Sequence, residues 1–118
     1  MSYVDGFVVP VPKKNVVAYR KLAKKTGKVW IDHGAVEYRE FVADNVPMGK
    51  LTSFPQSVKL KKDEVVVFAY IVYKSRRDRD RVNKLAMKDP RVVNIGPQSM
   101  PFDTKRMFWG GFKSIVEY

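Results

Sequence analysis

The chain has 118 residues, 45% of them hydrophobic and 13% aromatic, enough for one modest core and inconsistent with wholesale disorder. It contains no cysteine, which excludes disulfides, thiolate catalysis and cysteine-based zinc sites. Its 23 Lys and Arg against 12 Asp and Glu leave a net charge of +11, a value that suits an anionic partner and equally suits plain solubility.

Tyr3 to Val11 (YVDGFVVPV) reads as a strand that Pro10 and Pro12 bring to an end, because proline has no N–H to give a ladder. Alternation puts Tyr3, Asp5, Phe7 and Val9 on one face and Val4, Gly6 and Val8 on the other. Neither face is plainly polar, so both should be covered. Lys13 to about Asp32 reads as a helix, with Val16, Tyr19, Leu22, Ala23, Thr26 and Trp30 forming one apolar stripe. Lys13, Lys14, Arg20, Lys21, Lys24, Lys25 and Lys28 occupy much of the rest, with no acid before Asp32. Gly27 weakens the last turn by about 1 kcal/mol relative to Ala, and Gly34 fits a C-terminal stop.

Ala35 to about Asp44 is a second strand with charge on both faces, Tyr38 and Glu40 on one and Glu37 and Arg39 on the other, which suits an edge. Asn45 to Asp63 is a long connection in which Ser57 to Leu60 reads as a short extra strand. Glu64 to Tyr73 (EVVVFAYIVY) is apolar on both sides and belongs in the sheet centre. Ser75 caps a second helix, with Asp78 at its third position, Val82, Leu85 and Ala86 as the buried stripe, and Asp89-Pro90 as the end. A loop from Arg91 to Lys105 leads to a last strand, Arg106 to Tyr118. The longest apolar run, Val65 to Tyr73, falls well short of the roughly 18 residues of a membrane span, and the N-terminus lacks a basic-then-apolar signal. A soluble, cytoplasmic protein of one domain, residues 1–118, with no membrane partner, is expected.

The order strand, helix, strand, strand, helix, strand with right-handed crossovers gives an α+β, ferredoxin-like βαββαβ sandwich: an antiparallel sheet with two helices on one face. Tyr3, Asp5, Phe7 and half of the third strand are then expected on the face the helices leave open. An aromatic face of that size needs a second subunit, a nucleic acid or a ligand over it.

YVDGFVVPVP, LTSFPQSVKL, VYKSRRDRDRVN, and MKDP followed by MPFDTKRMFWGGF resemble, in that order, the domain-of-unknown-function 1428 family of small bacterial proteins. The likeness spans essentially the whole chain. It implies a dimeric α+β barrel, in which two ferredoxin-like subunits form a homodimer through their open sheet faces. The wider superfamily includes cofactor-free monooxygenases, heme-degrading enzymes, lactone isomerases and pure ligand binders, so the resemblance brings a fold more than a chemistry.

Asp5 among aromatics is a candidate proton-transfer group, because burial raises a carboxyl pKa; the plainer reading is an ion pair with Arg106 or a partner lysine. His33, the lone histidine, is the other catalytic candidate, with Asp32, Glu37 or Asp5 as its partner, against the plainer reading of a half-exposed loop residue. Tyr3, Phe7, Tyr38, Glu40, Arg106, Trp109, Gly110 and Gly111 are the ligand-binding candidates, the glycine pair marking a bulge or a close approach. Arg76 to Arg81 (RRDRDR) reads as a solvated helix surface. One histidine and scattered carboxylates offer no metal-ligand spacing, so no metal or cofactor is expected, and the second helix lacks the histidine that the heme-degrading relatives use.

These features point to an unidentified small apolar or amphipathic ligand, bound or turned over by monooxygenase- or isomerase-like proton transfer. The alternative is an RNA-binding module, since RNA-recognition motifs share this element order and stack bases on central-strand aromatics. Against it, Gly111-Phe112 falls on the fourth strand, and the basic residues lie on the helices.

Overall fold

The computed structural model describes residues 1–96 and 99–118; Pro97 and Gln98, in the expected Arg91–Lys105 loop, lie outside the described residues. In chain order the elements are β1 (Tyr3–Pro12), a 3-10 turn (Lys13–Asn15), α1 (Val16–Asp32), β2 (Glu37–Val42), α2 (Phe54–Ser57), β3 (Glu64–Tyr73), α3 (Arg76–Ala86), α4 (Pro90–Val93) and β4 (Phe108–Lys113). The strands form one antiparallel sheet in the order β2-β3-β1-β4, so the two most apolar strands sit in the middle, as their composition requires. Ser75 caps α3 by accepting the Asp78 N–H on its Oγ at 3.1 Å. Gly34, just past α1, has φ of +118°, a conformation that a side chain would strain. No helix among the described residues is long and apolar enough to cross a membrane.

Three elements differ from their sequence reading, the first being the single turn α4, which Asp89 caps where the helix end and a loop were expected. Ser57 to Leu60 is not an extra strand: the connection holds the single turn α2, with Pro55 in the first turn and Ser53 Oγ accepting the Gln56 N–H at 3.1 Å. β4 is shorter than Arg106 to Tyr118. Its neighbour β1 begins at Tyr3, opposite Lys113, so no β1 residue remains to pair with later ones; past the strand the Ser114 N–H bonds the Ser2 carbonyl and the Glu117 carboxylate accepts from the Ser2 N–H.

The assignment of faces is reversed for β1. Register places Tyr3, Asp5, Phe7 and Val9 beside Tyr73, Ile71, Ala69 and Val67 of β3. This is the face the helices cover: Tyr73 and Ile71 pack with Val82 of α3 and Trp30 of α1, and Val9 and Val67 with Val16 and Tyr19. Period-two alternation separates two faces, but where both are apolar it does not say which one receives the crossover helices.

The outer face carries Val4, Gly6, Val8 and Pro10, Phe41, Val66, Phe68, Tyr70 and Val72, and Phe108, Gly110 and Phe112. The long connection covers one end of it, with Val58 buried against Val8 and Val66 and Phe54 edge-on to Phe68 at 6.0 Å. Phe41, Phe68, Phe108 and Phe112 remain 41% to 62% exposed.

Candidate functional site

Between the inner sheet face and the helices lies a partly open cavity of about 570 Å³. Its roof is the α1 stripe: Tyr19, Leu22, Ala23, Thr26 and Trp30 all line it. Its floor is the middle of the sheet, where β3 contributes the small Ala69 between Phe7 of β1 and Glu40 of β2. Small residues above and below, Ala23 against Ala69, leave space that larger side chains would fill. Six aromatic residues and Met87, Met100 and Met107 complete a lining that is overwhelmingly apolar. The cavity is in the size range of small-molecule sites, and its few polar groups gather at two places.

One place is Glu40. The hydroxyls of Tyr19, from α1, and Tyr38, two residues away on β2, both donate to its carboxylate, one to each oxygen. Burial first, and then the Glu40 charge, push both phenols well above their ordinary range, so they remain protonated donors. Tyr38 reaches this position because its ring lies flat on α1 at Gly27, where a Cβ would come within 2.6 Å of ring carbons. The last-turn glycine that weakens the helix is what lets the ring in.

The other place is Asp5, 2% exposed on β1 and, from strand spacing and rise, about 12 Å from Glu40. Its Oδ1 faces Nε of Arg79 at 3.2 Å, off the hydrogen-bond axis, so neither atom has a well-aligned partner. Burial pushes the Asp5 carboxyl up, against the opposing pull of the Arg79 charge and of the nearby donor groups of Tyr73, Asn83 and Arg79. Asn83 holds the surrounding rings, its Oδ1 accepting from Trp30 Nε1 at 2.8 Å and from the Tyr73 hydroxyl at 3.3 Å. Arg79 lies over the Tyr3 ring, 5.0 Å from its centroid, and donates to the Tyr3 hydroxyl at 3.2 Å.

The structure therefore brings Asp5, Phe7, Tyr38, Glu40 and Trp109 together on one cavity, with Tyr3 and Gly111 behind Asp5. Trp109 stacks on Phe7 at 6.4 Å. Gly111 sits opposite Asp5 without a bulge, and a side chain there would collide with the Tyr3 hydroxyl and the Arg79 guanidinium. Gly110 is on the outer face, paired with Gly6 so that the Phe112 ring lies across both.

Three readings of partners are corrected. Asp5 pairs with Arg79 and not with Arg106, which instead bonds Glu64 Oε2 at 2.6 Å and Asp103 Oδ2 at 2.9 Å, away from the cavity, and holds both carboxyls below their ordinary range. His33 does not line the cavity. Its Nε2 lies 2.8 Å from Asp89 Oδ2, in a network where Arg91 bridges Asp89 and Asp32. Arg79 is not a solvated helix residue; its side chain is 15% exposed. Its spacing from Val82 and Ala86, three and seven positions on, was the signal that put it on the buried face. Among the described residues no three His, Asp or Glu side chains converge as a metal site.

Known proteins agree with this architecture. The uncharacterized protein YbaA of Escherichia coli (strain K12) is 47% identical over 117 residues, spanning 99% of this chain and 99% of that protein. The protein of the same name from Shigella flexneri shows the same identity and coverage. Among solved structures, Rv0793 from Mycobacterium tuberculosis matches with a TM-score of 0.58 over 99% of this chain and 98% of that chain. At 14% identity that likeness shows the fold alone, an α+β fold with one four-stranded antiparallel sheet. Residues 2–104 match the family described as protein of unknown function (DUF1428), and with the identity to YbaA along nearly the whole chain, this protein belongs to that family.

Proposed function

We propose that this protein binds a small apolar or amphipathic ligand in the cavity between sheet and helices, as a homodimer joined through the outer sheet faces. The observation that carries the reading is the cavity itself: about 570 Å³, walled by aromatic and methionine side chains, with polar groups confined to the Asp5 and Glu40 positions. A core with no ligand to hold would gain stability by closing such a void, since unfilled apolar volume costs packing energy. The homodimer is supported by the outer face. Its charged strand residues are Glu37 and Arg39, which pair with each other, and the buried Glu64, which Arg106 neutralises, so the face has no basic excess to hold RNA on Phe68 and the half-buried Tyr70 and suits a second apolar sheet.

Asp5 supports proton-transfer catalysis as a second reading, since a buried carboxyl with a raised pKa at the wall of an apolar cavity is equipped to carry a proton. The substrate would then supply the electrons of the reaction.

Both tryptophans of the chain, Trp30 and Trp109, line the cavity, so energy transfer from them reports on it directly. Titration with the neutral probe N-phenyl-1-naphthylamine should give saturable transfer that Ala69→Phe, which fills the floor, abolishes. Absence of saturable transfer, or transfer unchanged in Ala69→Phe, would refute the ligand site. Sedimentation should show a dimer that Phe112→Lys converts to a folded monomer; a wild-type monomer that binds RNA would refute the dimer.

A further inference from the structure

The charges of the cavity are one-sided. Its lining includes Asp5 and Glu40 and, among the described residues, no lysine, arginine or histidine. Asp5 has Arg79 behind it as a counter-ion. Glu40 has none among the described residues: its partners there are the hydroxyls of Tyr19 and Tyr38. Those two bonds fill half of a carboxylate's acceptor capacity of about four and leave its charge uncompensated. An anion at an apolar wall is costly until a cation joins it. Tyr19 and Tyr38 bring aromatic rings as well as hydroxyls to the wall, and Trp30 and Phe102 lie along the same cavity, with the Phe102 and Tyr19 rings edge-to-face at 5.6 Å. Aromatic rings around a lone carboxylate form the kind of surface that holds an organic ammonium group, by charge on one side and by ring quadrupoles on the others.

From this arrangement we infer that the cavity selects a lipophilic organic cation, an amine whose ammonium donates to Glu40 and whose apolar body lies along the α1 stripe towards Trp109. The inference rests on reading the cavity as a ligand site, and it adds the chemical class. It runs against the protein's overall charge of +11, which would draw anions. The basic residues of α1 lie on its exposed surface, whereas the cavity wall carries the opposite sign. A carboxylate ligand would meet Glu40 with no base to separate them.

Calorimetric titration at physiological salt, where attraction to the basic surface is screened, can compare naphthylmethylamine (protonated at neutral pH), naphthylmethanol and naphthoate. The amine should bind at least about tenfold more tightly than the alcohol, and naphthoate most weakly of the three. In Glu40→Gln the ratio of amine to alcohol affinity should fall to near one. Equal binding of alcohol and amine by the unaltered protein would overturn the inference and leave the ligand site standing. So would naphthoate as the tightest ligand, or a Gln variant that keeps the amine preference. Failure of all three probes to bind would remove the ligand site and this inference together. The ranking in the unaltered protein decides the matter even if the variant folds poorly.

Discussion

Arg79 shows how much a single side chain supports here. It neutralises Asp5, a nearly fully buried carboxylate, and roofs the Tyr3 ring. Replacing it by methionine keeps the length and leaves the acid unpaired. Arg79→Met should cost about 3 kcal/mol in urea denaturation at neutral pH, the scale for stranding one partner of a buried pair, and Asp5→Asn/Arg79→Met should recover much of it. Because the folded pKa of Asp5 is raised, its contribution to stability is present at low pH and lost as pH rises through that value, so the Arg79→Met deficit should shrink on acidification. Asp89 behaves in the opposite sense. Bonds from Arg91 and His33 hold its carboxyl far below the ordinary 3.8, so it stabilises the fold above that value, and this support is lost as pH falls towards its folded pKa. Asp89→Asn should lower the melting temperature at neutral pH and converge with the unaltered protein in strong acid; a constant difference across that range would show that the lowered pKa is not what Asp89 contributes. None of these partners was legible in the sequence. Aspartate, arginine and histidine in loops and on mixed helices have many possible partners, and only the register of β1 and the crossing of α3 choose among them.

The elements themselves were largely legible, because periodicity and caps are local. The strand-helix order, the central position of β1 and β3, the Ser75 cap and the stop at Gly34 all follow from residues near one another in sequence. The Tyr19-to-Trp30 stripe correctly marked the inward face of α1, but periodicity cannot say whether an inward face packs or lines a void. That depends on Ala69 opposite, far along the chain. Gly27 shows the same limit. By helix propensity, Gly27→Ala should stabilise α1 by about 1 kcal/mol. Because Tyr38 occupies the space of the missing Cβ, the expected outcome is a net loss of about 1–2 kcal/mol, with weakened probe binding as Tyr38 leaves Glu40. A melting temperature that rises in Gly27→Ala would contradict this packing. The exchange of faces in β1 had a related cause, two apolar faces on one strand, and it moved Asp5 and Phe7 from the expected interface to the cavity wall and Tyr3 to a place behind Asp5.

At the scale of the molecule, the sheet divides two environments. The helix side encloses an acidic, aromatic cavity beneath a basic outer surface; the other side leaves phenylalanines exposed. The family relationship was legible from motifs spread along the chain, whereas the cavity was not, since it is a property of the space between elements. That space can be observed directly through methionine. Of the five methionines, Met87, Met100 and Met107 line the cavity, while Met1 and Met48 are exposed elsewhere. In a spectrum of protein carrying carbon-13 at the methionine methyls, added N-phenyl-1-naphthylamine should move the Met87, Met100 and Met107 signals together and leave Met1 and Met48 in place. Movement confined to Met1 and Met48, or no movement at saturating probe, would contradict a ligand site between the sheet and the helices.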